Sequence, residues 1–256
     1  MTAINLNADL GEGYGRYTVG NDAAVLELVR SASIACGFHA GDPVIMAKTV
    51  RLALEHDVSI GAHPAFDDLR GFGRRAIRMN PQELEYLVAY QIGALQGIAA
   101  GAGARVTHVK PHGALNNMAH VDADYARAIA RAIKSVDADL IFVATACSEM
   151  VKAGHRAGLR VAEEGYIDRT YADNGELTPR SQPDAVIHDA GEAVRQVTTF
   201  IDAGGIVTRS GKRLPARLQT FCSHGDDAAS LHTLAAVRDA LQRAGMEIVP
   251  LPQLLY

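Results

Sequence analysis

Histidines, carboxylates and glycines recur in short polar blocks along the 256-residue chain, each block following an apolar run. The blocks are Asn7-Ala-Asp9-Leu-Gly-Glu12, Cys36-Gly-Phe-His39, Ala62-His63-Pro64, Lys110-Pro-His112-Gly113, Glu163-Glu164 and Ser223-His224-Gly-Asp226. Imidazole beside carboxylate is the pairing that general acid–base catalysis uses, and glycine lets backbone approach a ligand closely. A lysine inside a protein is costly unless it meets an anion, so Lys110 predicts an anionic partner. Two chemistries fit the set. Neutral imidazoles with Asp9 could hold a divalent metal that activates water. Metal-free, the same side chains would donate hydrogen bonds and move protons beside Lys110. Whether a transition metal is bound stays open at this level.

Other chemistries lack their residues. The Gly205 to Arg213 segment has the wrong spacing for a phosphate loop, with Arg where the hydroxyl would stand. No G-x-S-x-G elbow occurs. The three cysteines, Cys36, Cys147 and Cys222, are widely spaced and form no C-x-x-C pair. That argues against a disulfide framework and a structural zinc site, and it leads us to expect a cytoplasmic protein. Cys36 and Cys222 read as small packing residues. Net charge is −4 and no basic block occurs, so neither nucleic acid nor an anionic membrane is an expected partner. No signal-peptide pattern opens the chain, and no run approaches the ~18 apolar residues of a membrane helix. Of the ten histidines, His108 reads as buried beneath the rim that carries His112. His56, His120, His155, His188 and His232 read as exposed. The Arg70 to Arg75 loop is either an anion contact or a solvated turn.

The blocks need a scaffold that brings them together. Short apolar runs near residues 4–9, 33–37, 58–62, 106–110, 140–145, 160–163 and 218–222 read as strands. Between them lie amphipathic stretches of helical period, from Asp22 to Arg30, Pro43 to His56, Pro81 to Gly101, Asp122 to Lys134, Ser148 to Ala157, Asp189 to Ala203 and Asp227 to Ala244. Asp42-Pro43 and Asn80-Pro81-Gln-Glu83 are helix starts with a capping side chain and a first-turn proline. This alternation predicts an α/β fold with a parallel sheet, and about seven units predict one (β/α) barrel domain over 1–256. An open doubly wound sheet is the other arrangement the pattern allows. In a barrel the polar blocks fall at the C-terminal strand ends, where catalytic groups collect. The polar stretch from Gly165 to His188 breaks the rhythm, and Gly204 to Leu214 reads as an inserted hairpin.

Together the motifs resemble the LamB/YcsF family. They are Asn5-Leu-Asn7-Ala-Asp9-Leu-Gly-Glu12, Ile34-Ala-Cys36-Gly-Phe-His39-Ala-Gly-Asp42-Pro43, Gly61-Ala-His63-Pro64 and His108-Val-Lys110-Pro-His112-Gly-Ala-Leu115. Gly71-Phe-Gly-Arg74-Arg75, Glu163 to Tyr171, Gly175 to Arg180 and His224-Gly-Asp226 are similar to that family's later blocks. The family usually has Tyr where this chain has Asn116. The resemblance implies a seven-stranded barrel of the glycoside hydrolase/deacetylase kind. It also implies a subunit of an ATP-dependent 5-oxoprolinase, which opens the lactam of 5-oxoproline to L-glutamate with two further subunits, B and C. ATP, with Mg2+, is the cofactor it implies. On this footing Asp9, His39, His63, Lys110 and His112 are expected to be catalytic. Asn7, Glu12, Glu163, Arg169, Arg180, His224 and Asp226 are expected to bind substrate. A stand-alone metal-dependent deacetylase of small amides or carbohydrates is the competing expectation.

Overall fold

The computed structural model describes residues 3–223 and 228–255. Along the chain, β1 (Ala3–Leu10) leads to the short α1 (Asp22–Leu26), β2 (Ser31–Ala35) to α2 (Pro43–Glu55), and β3 (Ser59–His63) to α3 (Pro81–Gly101). After β4 (Val106–Val109) come α4 (Gly113–Val121) and α5 (Ala123–Val136), then β5 (Ile141–Thr145), α6 (Glu149–Ala157) and β6 (Arg160–Tyr166). The last third holds α7 (Ala190–Ala203), the hairpin β7 (Gly205–Val207) and β8 (Arg213–Pro215), β9 (Leu218–Ser223), α8 (Ala228–Arg243), β10 (Glu247–Ile248) and α9 (Leu251–Leu254).

Seven strands close a ring. β1 pairs with β2 on one side and β9 on the other, and β9 pairs with β6, so the order β1-β2-β3-β4-β5-β6-β9 returns to its start with every pair parallel. The expected barrel is therefore the fold, and the open sheet is set aside. β10 pairs with β1 beneath the ring, Ala3 opposite Glu247 and Ile4 opposite Ile248.

Local chemistry places the elements. Asp42 caps α2 by accepting from the Val44 and Ile45 amides, and Pro43 occupies its first turn. Asn80 and Glu83 form a reciprocal capping box at α3. The helix expected to reach Arg30 stops at Leu26, because Arg30 pairs instead with the strands: its amide donates to the Leu6 carbonyl, and its carbonyl accepts from the Ser59 amide. The hairpin expected around Ser210-Gly211 is β7–β8. Helix α4 is an addition to the expected pattern. It follows Lys110-Pro-His112 directly, where the sequence reads only as a connection.

Alternation along each strand sorts the side chains. Leu6, Ala8, Ile34, Ala62 and Phe142 face the helical shell and join one large apolar cluster. Most of the inner face is polar. At its base Asn5 donates to the Ser31 hydroxyl (2.9 Å) and the Val249 carbonyl (2.7 Å), and Ser31 meets Ser59 at 2.7 Å. Beside them Ile141, Val143, Ala162 and Leu251 make a small apolar plug. One layer up, Thr220 donates to Asn5 while Asn7 donates to Thr220, each at 2.7 Å. Gly61 on β3 leaves room for His108 on β4: a Cβ there would sit 2.2 Å from the imidazole ring. His108 is buried, hydrogen-bonded to Thr107 at 2.9 Å, and lies below Lys110 as the strand register requires.

Candidate active site at the barrel mouth

Lys110 is the hub. It is buried, and its ammonium donates to Asp9 (2.8 Å), Asn7 (3.2 Å) and the Cys222 sulfur (2.9 Å), with Glu164 at 3.2 Å. Burial opposes the charge, but the Asp9 carboxylate, with Glu164, outweighs it and holds the ammonium well above its ordinary range. Asn7 bridges to Glu164 at 2.8 Å. These contacts run from four strands or strand ends, so the ion pair is fixed by the barrel itself rather than by a mobile loop.

Glu164, the second residue of the Glu163-Glu164 block, and not the expected Glu163, is the β6 carboxylate that meets Lys110. Its neighbour Glu163 is half-buried on the opposite parity of the strand. A register shift between the two, opposite β9, makes the inward residue unreadable from alternation alone. Cys222 packs in the core as expected and does more. It faces the polar interior and accepts from Lys110, while burial pushes its thiol well above the usual range and keeps it protonated.

Behind Asp9 stand three imidazoles. His63 Nε2 lies 3.2 Å from the Asp9 carboxylate, and His63 Nδ1 donates to the Lys110 carbonyl at 2.7 Å. His112, at the start of α4, contacts His63 Nε2 through Nδ1 (3.0 Å), and its Nε2 donates to the Phe72 carbonyl (2.9 Å). His39 stacks on His112 with centroids 3.8 Å apart and meets Glu12 at 2.9 Å. Burial, then the neighbouring imidazoles, holds His39 and His112 well below the usual histidine range, so both rings are neutral near pH 7. Among the described residues, Glu12, His39, His63 and His112 form one buried group whose donor atoms lie within 4.8 Å of one another, a set able to hold a metal ion.

The loop between β3 and α3 walls this cluster. Asp68 binds the Arg75 guanidinium and the Gly71 amide, which folds residues 68–75 into a tight turn over the rings. Gly73 is required there. Its φ is +64°, a Cβ would fall 2.8 Å from both His112 and His39, and its carbonyl accepts from Ala114 at the start of α4. The turn presents Phe72 to His112 and turns Arg74 toward the cavity.

In front of Asp9 and Lys110 opens a cavity of about 480 Å³ lined by His63, His112, Thr145 and Tyr166, with Arg74, Arg169 and Arg180 among its walls. Helix α4 supplies Asn116, Asn117 and His120, which at spacings of three and four share one face. His120 is therefore buried in the wall, contrary to its expected exposure, while His155, His188 and His232 are exposed and His56 is half-buried. The long polar connection after β6 forms the opposite wall. Arg169 spends part of its guanidinium on the Ala185 and Thr178 carbonyls, stapling that connection, and Arg180 is exposed at its edge. His224 and Asp226, both expected at the site, lie outside the described residues. The signal for Asn116 and His120 would have been a helical reading of Gly113 to Val121; for Arg74 it was already present in the Arg70 to Arg75 loop.

The comparisons with known proteins agree with one another. The 5-oxoprolinase A subunit of Azoarcus sp. (strain BH72) is 52% identical over 99% of both chains. That of Bordetella pertussis is 51% identical over 96% of this chain and 98% of its own. A crystal structure of a lactam utilization protein from Thermus thermophilus superposes with a TM-score of 0.90 at 41% identity, covering 97% of this chain and 99% of that one. A T48 deacetylase, at TM-score 0.51 and 15% identity over 99% of this chain and 90% of its own, shares the fold. The LamB/YcsF family model matches residues 4–256, and the chain belongs to that family.

Proposed function

We propose that this protein is the A subunit of a 5-oxoprolinase, opening the lactam of 5-oxoproline to L-glutamate in a complex with subunits B and C, with hydrolysis of ATP. The observation that carries the reading is the cavity: small, with a fixed ammonium–carboxylate pair at its floor and guanidinium groups in its walls. A five-membered lactam bearing one carboxylate is a compact anion of that kind. Arg74, Arg169 and Arg180 are the groups that would meet its carboxylate and any phosphoryl oxygens. Asn7 and Glu164 hold the Lys110 ammonium, and Lys110 holds Asp9 facing the ring carbonyl. Asp9, with His63, His112 and His39 behind it, orients the attacking water, takes its proton and passes it to the ring nitrogen, which leaves as the product amine. Glu12 orients His39, and Glu164 takes the place expected for Glu163.

A lactam amide is stable, and transfer of a phosphoryl group from ATP to its oxygen would activate the ring carbon toward water; C–N cleavage then leaves an acyl phosphate, which a second water hydrolyses to glutamate and phosphate. That is the use proposed for ATP and Mg2+, which enter through the complex, and the setting proposed is the cytoplasm. Glutamate release from 5-oxoproline by this chain alone, and then with subunits B and C, with and without ATP, tests the assignment. Release only from the complete complex with ATP, and its loss by ~10²-fold or more in Lys110→Met, is the expected result. The Glu/His cluster favours a second reading, a metal-dependent deacetylase; ATP-independent acetate release from an acetylated amino sugar by the chain alone would establish it instead.

A further inference from the structure

The protons of the buried histidines can be assigned from their partners. A carbonyl oxygen only accepts, so the 2.7 Å contact to the Lys110 carbonyl places the His63 proton on Nδ1, and the 2.9 Å contact to the Phe72 carbonyl places the His112 proton on Nε2. That leaves His63 Nε2 and His112 Nδ1 as the nitrogens whose lone pairs are available to a ligand, and they face each other at 3.0 Å. Two more acceptors close on the same point. The Glu12 carboxylate is 3.4 Å from His112 Nδ1, and the Asp9 carboxylate is 3.2 Å from His63 Nε2. His39 Nε2 reaches the same Glu12 oxygen at 2.9 Å, and its Nδ1 is buried without a hydrogen-bond partner.

Lone pairs converging in a dry place repel unless a cation lies among them. We propose that Glu12, His39, His63 and His112 form a binding site for one first-row divalent metal ion of the zinc class. Three features point to a metal rather than a shared proton. A proton would serve only the line between His63 and His112 and leave Glu12 and His39 outside it. Three of the separations, 2.9, 3.0 and 3.4 Å, are close to the ligand-to-ligand edges of about 3.3 Å that a tetrahedral ion imposes with bonds of about 2.05 Å, and all four donor atoms lie within 4.8 Å of one another. Both carbonyl contacts are outer hydrogen bonds of the sort that fix the tautomer and aim of a ligating imidazole. Three imidazoles and one carboxylate suit zinc, cobalt, nickel or iron better than magnesium or calcium, which prefer all-oxygen sites. An ion here would stand beside Asp9 at the cavity edge, where it could polarise a bound carbonyl or water. The site does not rest on the lactam reading, and its test does not read glutamate.

The full-length chain, stripped with chelator and dialysed, would be titrated with Zn2+ by calorimetry and with Co2+ by visible absorption. Uptake of one equivalent is expected, with an intense Co2+ d–d band of the kind low-coordinate nitrogen and oxygen ligands produce. Glu12→Gln and His112→Gln should each weaken binding by ~10-fold or more. His155→Gln, which removes an exposed imidazole, should leave it unchanged and excludes surface binding. Circular dichroism of each variant shows whether it is folded, and the stoichiometry of the unaltered chain stands independently of any variant. Failure to take up a stoichiometric ion, or uptake indifferent to both cluster variants, would overturn the proposal.

Discussion

At the scale of the residue, the interior histidine makes stability depend on pH. Burial, then the Lys110 charge, lowers the His108 pKa to about 3. Its unfolded value is the ordinary one of about 6.5. Between those values the unfolded chain binds a proton that the folded chain refuses, so His108 costs nothing above about pH 6.5 and an increasing amount below it. From pH 7 to pH 5 the loss is about 2 kcal/mol. Urea unfolding across that range should show it, and His108→Leu should flatten the profile by that amount. His39 and His112, also lowered, keep a residual slope of the same sign. An unchanged profile in the variant would mean His108 is not the group responsible. The burial of His108 was legible beforehand, since it lies two residues before Lys110 on one strand. Glu164 was not, because adjacent glutamates differ only in parity and the local register shift hides which one turns inward.

At the scale of the element, the loops decide what the strands can do. The six polar blocks announced a rim because each follows a strand, and that placement survives in the structure for Asp9, His39, His63, Lys110 and His112. Legibility ended where a connection had its own tertiary structure. Helix α4 starts at Gly113 with no capping side chain to mark it, so Asn116 and His120 were lost with it. The turn at residues 68–75 depends on contacts made by Asp68 to Gly71 and Arg75, and short spacing alone does not reveal them. Asp68→Ala should loosen that turn, unseat Phe72 from His112 and turn Arg74 out of the cavity wall. The expected outcome is a rise in KM of ~10-fold with a smaller change in the unfolding midpoint. Steady-state kinetics of the complete complex would measure it, and an unaltered KM would show that the turn does not shape the cavity.

At the scale of the whole molecule, the barrel is sealed at its base by the end of the chain. Leu251 is fully buried against Ile141, Val143 and Ala162, and the Val249 carbonyl accepts from Asn5. Leu251→Asp would place a carboxylate in that plug and should cost about 3–5 kcal/mol of stability, visible as a lower urea midpoint. At low temperature, where the variant is still folded, the cavity at the opposite end should keep its shape and the complex its kcat; a midpoint equal to that of the unaltered protein would contradict the seal. Strand β1 bonds to β9 and to β10, so its residues wait for strands made far later in the chain before they are paired on both sides. Until then an emerging chain shows an unpaired strand edge bearing Leu6 and Ala8, the sort of surface that associates with other chains or engages chaperones. Its yield in a cell should therefore depend on how quickly β9 and β10 follow from the ribosome.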